Sequence, residues 1–160
     1  MDGNYFQWDN ALLTGVAIID AQHQGLVEII NTAMQLCVGN EIIYPEELTN
    51  LLNKLNLYVD SHFKTELKLM EDYKIDPLHV KTHLSAHEDF QHTLTHIFSD
   101  INALLDKTKL VEVVEFLIRW LAYHIMTIDK CLSKQIQLIQ RGRSEERRGG
   151  EECRSRWWAY

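Results

Sequence analysis

The sequence lacks the features that mark nucleic-acid-binding, secreted and membrane proteins. Basic residues are not in excess, and the formal net charge of −7 leads us to expect no nucleic-acid partner. The N-terminus has no basic region followed by an apolar run, which predicts no signal peptide. No apolar stretch is long enough to span a membrane, so we expect no membrane-spanning helix.

Cysteine is also scarce. The three cysteines, Cys37, Cys131 and Cys153, are widely spaced and odd in number, which favours neither a disulfide framework nor a zinc knuckle. We therefore expect a reducing, cytoplasmic setting. The remaining composition, 46% hydrophobic and 24% charged residues, is that of an ordinary globular protein, and 160 residues suffice for one domain with a core.

No strand pattern is present, whereas apolar residues recur at the helical period through most of the chain. Asp20 is a good N-cap for a first helix, Pro45 suits the first turn of a second, and Asp76-Pro77 starts a third. Four long helices with short connections predict an all-α protein. The expected architecture is an up-down-up-down four-helix bundle with an ordered N-terminal arm over residues 1–19. The predicted helices cover about 21–38, 45–71, 76–105 and 110–140.

The C-terminal stretch differs in composition from the rest. Residues 1–140 contain nine lysines and one arginine, whereas residues 141–160 contain six arginines, no lysine and no apolar period. We interpret residues 1–140 as the domain and residues 141–160 as a non-domain, Arg-rich tail, disordered or artefactual.

Polar side chains interrupt the apolar stripes of the predicted helices. His62 and Glu66 are four residues apart, so they lie on one face of the second helix, and that face is apolar. A carboxylate deep in such a stripe is costly unless a partner compensates its charge. Every predicted helix contributes to this set, which comprises His23, His62, Glu66, His83, His87, His124 and Asp129.

Five imidazoles and two carboxylates are too many ligands for one metal ion, but they suit two ions bridged by the carboxylates. With a third bridge, oxo or hydroxo, about one coordination position stays open for a small ligand. Imidazole suits iron, zinc, copper and nickel, so the ligand types alone do not select the metal. Two redox-active ions side by side could reduce dioxygen reversibly.

The fourth helix contains a geometric conflict. His124 and Asp129 are five residues apart, which turns about 140° on an ideal α-helix, so the two side chains point in different directions. Either Asp129 reaches in from the flank, or the helix is locally irregular, as in a π-bulge.

Three further histidines stand outside the set. His92 and His96 have the same spacing as the pair on the third helix, but they project about opposite to its apolar stripe, so we expect them on the surface. His79 lies nearer that stripe, close to the start of the helix, and we interpret it as a rim residue rather than a ligand.

At these positions the chain resembles the hemerythrin family, specifically the bacterial hemerythrins, over most of residues 6–135. All seven ligand positions of the family are filled, in order and at family spacing, although Leu67 stands where many members have a second glutamate. The matching motifs are Thr14-Gly15-Val16, Gln22-His23, His62-Phe63-x-x-Glu66, His83-x-x-x-His87 with Phe90, and Trp120-Leu121-x-x-His124-Ile125-x-x-x-Asp129.

The resemblance implies a non-haem di-iron centre, two iron ions with an oxo or hydroxo bridge, that binds dioxygen reversibly. Leu121 and Ile125 would line an apolar pocket for the ligand, and Trp120 on the same face fits core packing and pocket lining equally well. The implied ligand sets are His83, His87 and His124 for one iron, His23 and His62 for the iron with the open position, and Glu66 and Asp129 as bridges.

The resemblance also implies a binding protein rather than an enzyme, with dioxygen storage, delivery or scavenging as its use. The runner-up is a dioxygen or redox sensor domain of a signalling protein such as a diguanylate cyclase, because residues 133–140 continue past the ligands and could lead into such a module. Expected partners are dioxygen and either a downstream signalling domain or a second copy of the chain. A ferritin-like oxidase or peroxidase is disfavoured, since such sites are rich in glutamate.

Overall fold

Long α-helices form most of the chain in a computed structural model, which describes residues 5–39, 43–99 and 107–142. These stretches contain no β-strand, and none of their helices is long and apolar enough to cross a membrane. The predicted all-α four-helix bundle is confirmed, with α4, the π turn and α5 following one another as the fourth helix. The elements are a 3₁₀ turn (Asn10–Leu12), α1 (Ala17–Gly39), α2 (Pro45–Asp72), α3 (Pro77–Ser99), α4 (Lys107–His124), a π turn (Ile125–Asp129) and α5 (Lys130–Gln140).

The helix boundaries agree with the sequence where proline sets them. Pro45 and Pro77 are the first residues of α2 and α3, as expected from the fixed φ of proline and its missing N–H. The predicted extension of the third helix to about residue 105 falls on residues 100–106, outside the described ranges. Most of the Arg-rich tail, residues 143–160, also lies outside them, so its interpretation stays a prediction.

Asp20 lies in the first turn of α1, so its predicted role as the N-cap is wrong. The helix begins at Ala17, and the Asp20 carboxylate instead turns back to the preceding loop. It accepts hydrogen bonds from the Thr14 N–H (2.7 Å), the Thr14 hydroxyl (2.7 Å) and the Gly15 N–H (3.1 Å). Gly15 has a φ of 86°, and a Cβ there would lie 2.6 Å from Gln137 Nε2 of α5. A carboxylate and a glycine therefore fix the loop that leads into α1.

We expect Asp20→Ala to lower the free energy of unfolding by about 1–3 kcal/mol, because it leaves the two buried donors of Thr14 and the N–H of Gly15 without their acceptor. Urea denaturation followed by circular dichroism would measure the change. Asp60→Ala is the matched control, since Asp60 is exposed and its pair with Lys64 lies on the surface, where ion pairs contribute little. Equal losses in the two variants would contradict this role of Asp20.

The described chain before α1 packs on the bundle, as predicted for an ordered N-terminal arm. Residues 17–19 of the predicted arm instead belong to α1, and residues 1–4 lie outside the described ranges. The Phe6 N–H donates to Asn31 Oδ1 (2.8 Å), and the Asn31 amide donates back to the Phe6 carbonyl (2.9 Å). Phe6, Trp8 and Leu12 pack against buried residues of the core. Trp8 also approaches the ring of His23, with 6.4 Å between the ring centroids.

The core consists of two apolar clusters at different levels of the bundle. The buried histidines and carboxylates of the apolar stripes lie along the helices between positions of the two clusters or close beside them. They therefore form a polar layer between two apolar ends. The upper cluster includes Leu26, Val27, Leu55, Val59, Phe90, Leu117, Leu121 and Ile125. The lower cluster consists of Ile19, Met70, Ile75, Leu132 and Ile136.

Candidate metal centre

Seven polar side chains meet in the layer between the two clusters. They are the seven that the sequence places on apolar stripes, and each is at most 4% exposed. Their burial requires compensation, because a carboxylate transferred from water into an apolar interior loses its hydration. The structure brings together His23, His62, Glu66, His83, His87, His124 and Asp129.

One group of four ligand atoms surrounds the Glu66 carboxylate. Glu66 Oε2 lies 3.0 Å from His83 Nε2 and 3.1 Å from His87 Nε2. His87 Nε2 lies 3.2 Å from His124 Nε2. One ligand atom from each of these four residues lies within 4.8 Å of the others, a spacing suited to a single metal ion.

A second group of four shares Glu66 with the first and adds His23, His62 and Asp129. Asp129 Oδ2 lies 2.9 Å from His23 Nε2, and Glu66 Oε2 lies 3.5 Å from His62 Nε2. The other oxygen of Asp129, Oδ1, lies 3.0 Å from His124 Nε2 in the first group. Both carboxylates therefore stand between two sets of histidines, where each could bridge two ions.

A π turn resolves the conflict in the fourth helix. The Lys130 N–H bonds to the Ile125 carbonyl, five residues back, instead of four as in an α-helix. The wider turn brings Asp129 round to the side of His124, so the side chains meet at 3.0 Å despite their five-residue spacing. Of the two possibilities that the spacing left open, the locally irregular helix is the one observed.

Two side chains orient the histidines from behind. Gln22 Oε1 lies 3.0 Å from His62 Nδ1, and its amide nitrogen donates to the Thr65 hydroxyl (2.9 Å). His79 Nε2 lies 3.3 Å from His83 Nδ1. Such contacts fix the tautomer, so that the other ring nitrogen is left to face a metal ion.

The expected rim position of His79 is wrong, since the residue is only 2% exposed. Its position one turn before His83, on the same face of α3, was the signal that could have predicted burial. His92 and His96 are exposed, as their projection predicted. Identical spacing on one helix thus gives one inward pair and one outward pair.

Three aromatic rings stack on the candidate ligands. The ring of Phe63 lies 3.6 Å from that of His87, and Trp120 lies 4.2 Å from His124. Tyr58, which the sequence interpretation missed, lies 5.4 Å from His62 with 19° between the ring planes. Trp120 also packs on the upper cluster, so it takes part in the core and faces the site. These rings limit the orientations that the imidazoles can adopt.

The electrostatics of the site favour metal-binding forms of several side chains. Burial lowers the pKa of His83 to about 3 and that of His87 to about 4, so both imidazoles are neutral at pH 7. Burial opposes the charge on Asp129, yet the neighbouring His124 and other histidines hold its pKa well below the ordinary range. Burial likewise opposes the charge on His124, but Asp129 outweighs it and raises the pKa. Neutral imidazole and ionised carboxylate are the forms that bind metal ions.

Several buried atoms at the centre form no well-directed hydrogen bond in the described part of the protein, even where they lie close together, as His23 Nε2 and Asp129 Oδ2 do. Buried nitrogen and oxygen atoms are normally paired, so a convergence of unpaired ones calls for a ligand. Metal ions would supply the missing contacts and balance the carboxylate charges, which is why this donor set fits a metal pair. The atoms are His23 Nε2, His62 Nε2, Glu66 Oε1, Asp129 Oδ1 and Asp129 Oδ2.

Histidines and carboxylates gathered inside an all-α bundle define a metal-binding helical-bundle protein. The family model described as the hemerythrin HHE cation binding domain matches residues 14–136. The chain belongs to the hemerythrin family, a family of di-iron, oxygen-binding proteins. This confirms the resemblance drawn from the motifs.

The chain is similar to bacteriohemerythrins of Pseudomonas paraeruginosa and Pseudomonas aeruginosa. Each comparison gives 36% identity over 78 residues, which is 48% of this chain and 49% of the relative. The chain therefore spans about half the length of the curated relatives it matches. No solved structure matches it.

Proposed function

We propose that this chain holds two iron ions at the seven buried side chains and binds dioxygen reversibly there. The observation that carries the proposal is the pair of four-residue groups that share Glu66, each compact enough for one ion. When bound, the iron pair would supply the two electrons that reversible dioxygen binding requires. The family supports iron as the metal, a choice that imidazole and carboxylate ligands alone leave open.

The ligands divide between the ions according to the two groups. His83, His87 and His124 are assigned to one ion, because their Nε2 atoms gather around Glu66 and Asp129. His23 and His62 are assigned to the other, which has fewer histidines and so keeps a position for an external ligand. Glu66 and Asp129 are assigned as bridges.

The apolar surroundings favour binding over turnover. Leu121 and Ile125 are fully buried in the upper cluster, on the fourth helix beside His124. A water-poor pocket there would slow both the escape of the ligand and the oxidation of the iron. Storage, delivery or scavenging of dioxygen follows from such a site without any further domain.

Reversible optical change on exposure to air is the expected result for the iron-loaded protein. The reduced protein would be loaded with ferrous iron without air, exposed to dioxygen and then flushed with argon, while the visible absorption spectrum is recorded. A new band that appears with dioxygen and disappears with argon is expected. A spectrum that never changes, or that changes once and does not return, would contradict reversible binding.

Two histidine variants make this experiment specific for the site. His62→Ala removes a candidate ligand of the second group and should abolish the reversible change and lower the iron content. His92→Ala removes an exposed histidine from α3 and should leave both unchanged. If both variants lost the optical change and the iron equally, the assignment of His62 to the inner face and His92 to the outer face of the bundle would be wrong.

A further inference from the structure

Tyr58 carries an unusual polar atom in an otherwise apolar part of the protein. Its hydroxyl oxygen is buried and has no hydrogen-bond partner among the described residues, while its ring packs against the upper cluster. A buried hydroxyl without a partner costs free energy that a phenylalanine at the same position would not cost. Core packing therefore explains the aromatic ring at position 58 but not its hydroxyl group.

Contacts between α2 and α3 show which end of the metal layer Tyr58 occupies. Glu66 meets His83 at 3.0 Å, whereas Phe63, earlier on α2, lies 5.8 Å from Phe90, later on α3. The two helices are therefore antiparallel. Tyr58 precedes Phe63, so it lies toward the end of the bundle that contains Phe90.

Contacts between α3 and α4 extend this order to the fourth helix. His87 meets His124 at 3.2 Å, and Phe90, one turn later on α3, lies 4.3 Å from Trp120, one turn earlier on α4. α2 and α4 thus run in the same direction. Tyr58 stands one turn before His62, just as Trp120 stands one turn before His124, so both lie on the side of the upper cluster.

The Tyr58 ring is aligned with the second ligand group. It stacks on His62 with 19° between the planes, and His62 lies 5.1 Å from His23, the other histidine of that group. The Tyr58 ring therefore lies face to face with the imidazole of His62, one turn further toward the upper cluster.

An alternative role, holding the Glu66 carboxylate, is not supported by the contacts. Glu66 Oε1 is itself a buried atom without a hydrogen-bond partner among the described residues, as is the Tyr58 hydroxyl. No hydrogen bond therefore joins these two atoms in the structure. A buried donor without an acceptor among the described residues suggests an acceptor that arrives from outside.

We propose that the Tyr58 hydroxyl donates a hydrogen bond to a small anionic ligand bound at the ion that His23 and His62 hold. This rests on the proposed function, since it requires that ion and its open position. The hydroxyl is a buried polar atom on a ring that stacks on His62, whereas Leu121 and Ile125 offer only hydrocarbon. It would discriminate between ligands that accept a hydrogen bond and those that do not.

Tyr58→Phe tests this proposal with two measurements. In the ferric, iron-loaded protein, optical titration should give an azide dissociation constant raised about tenfold or more, the range of a lost hydrogen bond to a charged acceptor. In the protein without azide, with and without iron, the thermal midpoint should stay equal or rise, because an unpaired buried hydroxyl has been removed. Tyr123→Phe, at an exposed position of α4, should change neither quantity.

The outcomes separate this proposal from the proposed function. An unchanged azide dissociation constant in Tyr58→Phe, with normal binding by the unaltered protein, overturns the hydrogen bond alone. A lower thermal midpoint without azide also overturns it, because the hydroxyl then has a partner within the protein. Absence of azide and dioxygen binding in the iron-loaded, unaltered protein overturns the proposed function and this proposal with it.

Discussion

Glu66→Ala should remove most of the bound iron from both positions of the centre. Glu66 is the residue that the two ligand groups share, and its Oε2 lies within 3.5 Å of His62, His83 and His87. Loss of a supporting contact alone typically weakens metal binding about 10–100-fold, so loss of a shared ligand should exceed this. Iron per chain would be measured by elemental analysis after gel filtration, and the helical content by circular dichroism.

The matched control for this experiment is Glu71→Ala. Glu71 lies on the same helix, carries the same charge and is exposed, so its removal should leave the iron content unchanged. Comparison of the two variants separates the effect of position from that of net charge. Retention of iron by a folded Glu66→Ala protein would refute the assignment of Glu66 as a bridge.

Phe90→Ala should produce the largest loss of stability among single core substitutions considered for this protein. Phe90 is 1% exposed and packs between rings of α2 and α4, with centroid distances of 5.8 Å to Phe63, 5.3 Å to Phe116 and 4.3 Å to Trp120. Replacement of a buried phenylalanine by alanine costs about 3–5 kcal/mol, from lost burial and the cavity left behind. Urea denaturation would measure the free energy of unfolding.

Leu57→Ala provides the comparison for this measurement. Leu57 lies on α2 with 73% of its surface exposed, so its removal should change the free energy of unfolding by less than about 0.5 kcal/mol. A similar small effect for Phe90→Ala would mean that the three surrounding rings close the space without cost. That result would contradict the close packing of the upper cluster.

The sequence predicts the fold and the gathering of the seven side chains well, because both depend on helical periodicity. A residue's face on a long helix follows from about 100° per residue, which places His62 and Glu66 inward and His92 outward without knowledge of the neighbours. The five-residue spacing of His124 and Asp129 even predicts an irregular turn as one of two solutions. Their role as iron ligands stays a prediction.

What the sequence does not predict depends on contacts between distant segments. Local propensity predicts Asp20 as an N-cap. In the structure its carboxylate accepts hydrogen bonds from Thr14 and Gly15, in a loop whose Thr14 carbonyl also accepts one from Gln137 of α5. Periodicity places Tyr58 near His62. Whether the Tyr58 hydroxyl has a hydrogen-bond partner depends on all the helices that pack around it. Hydrogen-bond satisfaction is a property of the assembled bundle.

The π turn also determines how the lower end of the bundle closes. A π turn contains one residue more than the α-helical turn it replaces, so all later residues are offset by one position around the helix axis. If the same residues formed a regular α-helix, α5 would be rotated by about 100°. Leu132 and Ile136 would then face away from Ile19 and Met70, which they join in the lower cluster. A single irregular turn therefore sets both the rotation of α5 about its axis and the direction of the Asp129 side chain. The metal layer and the apolar end beneath it depend on the same extra residue.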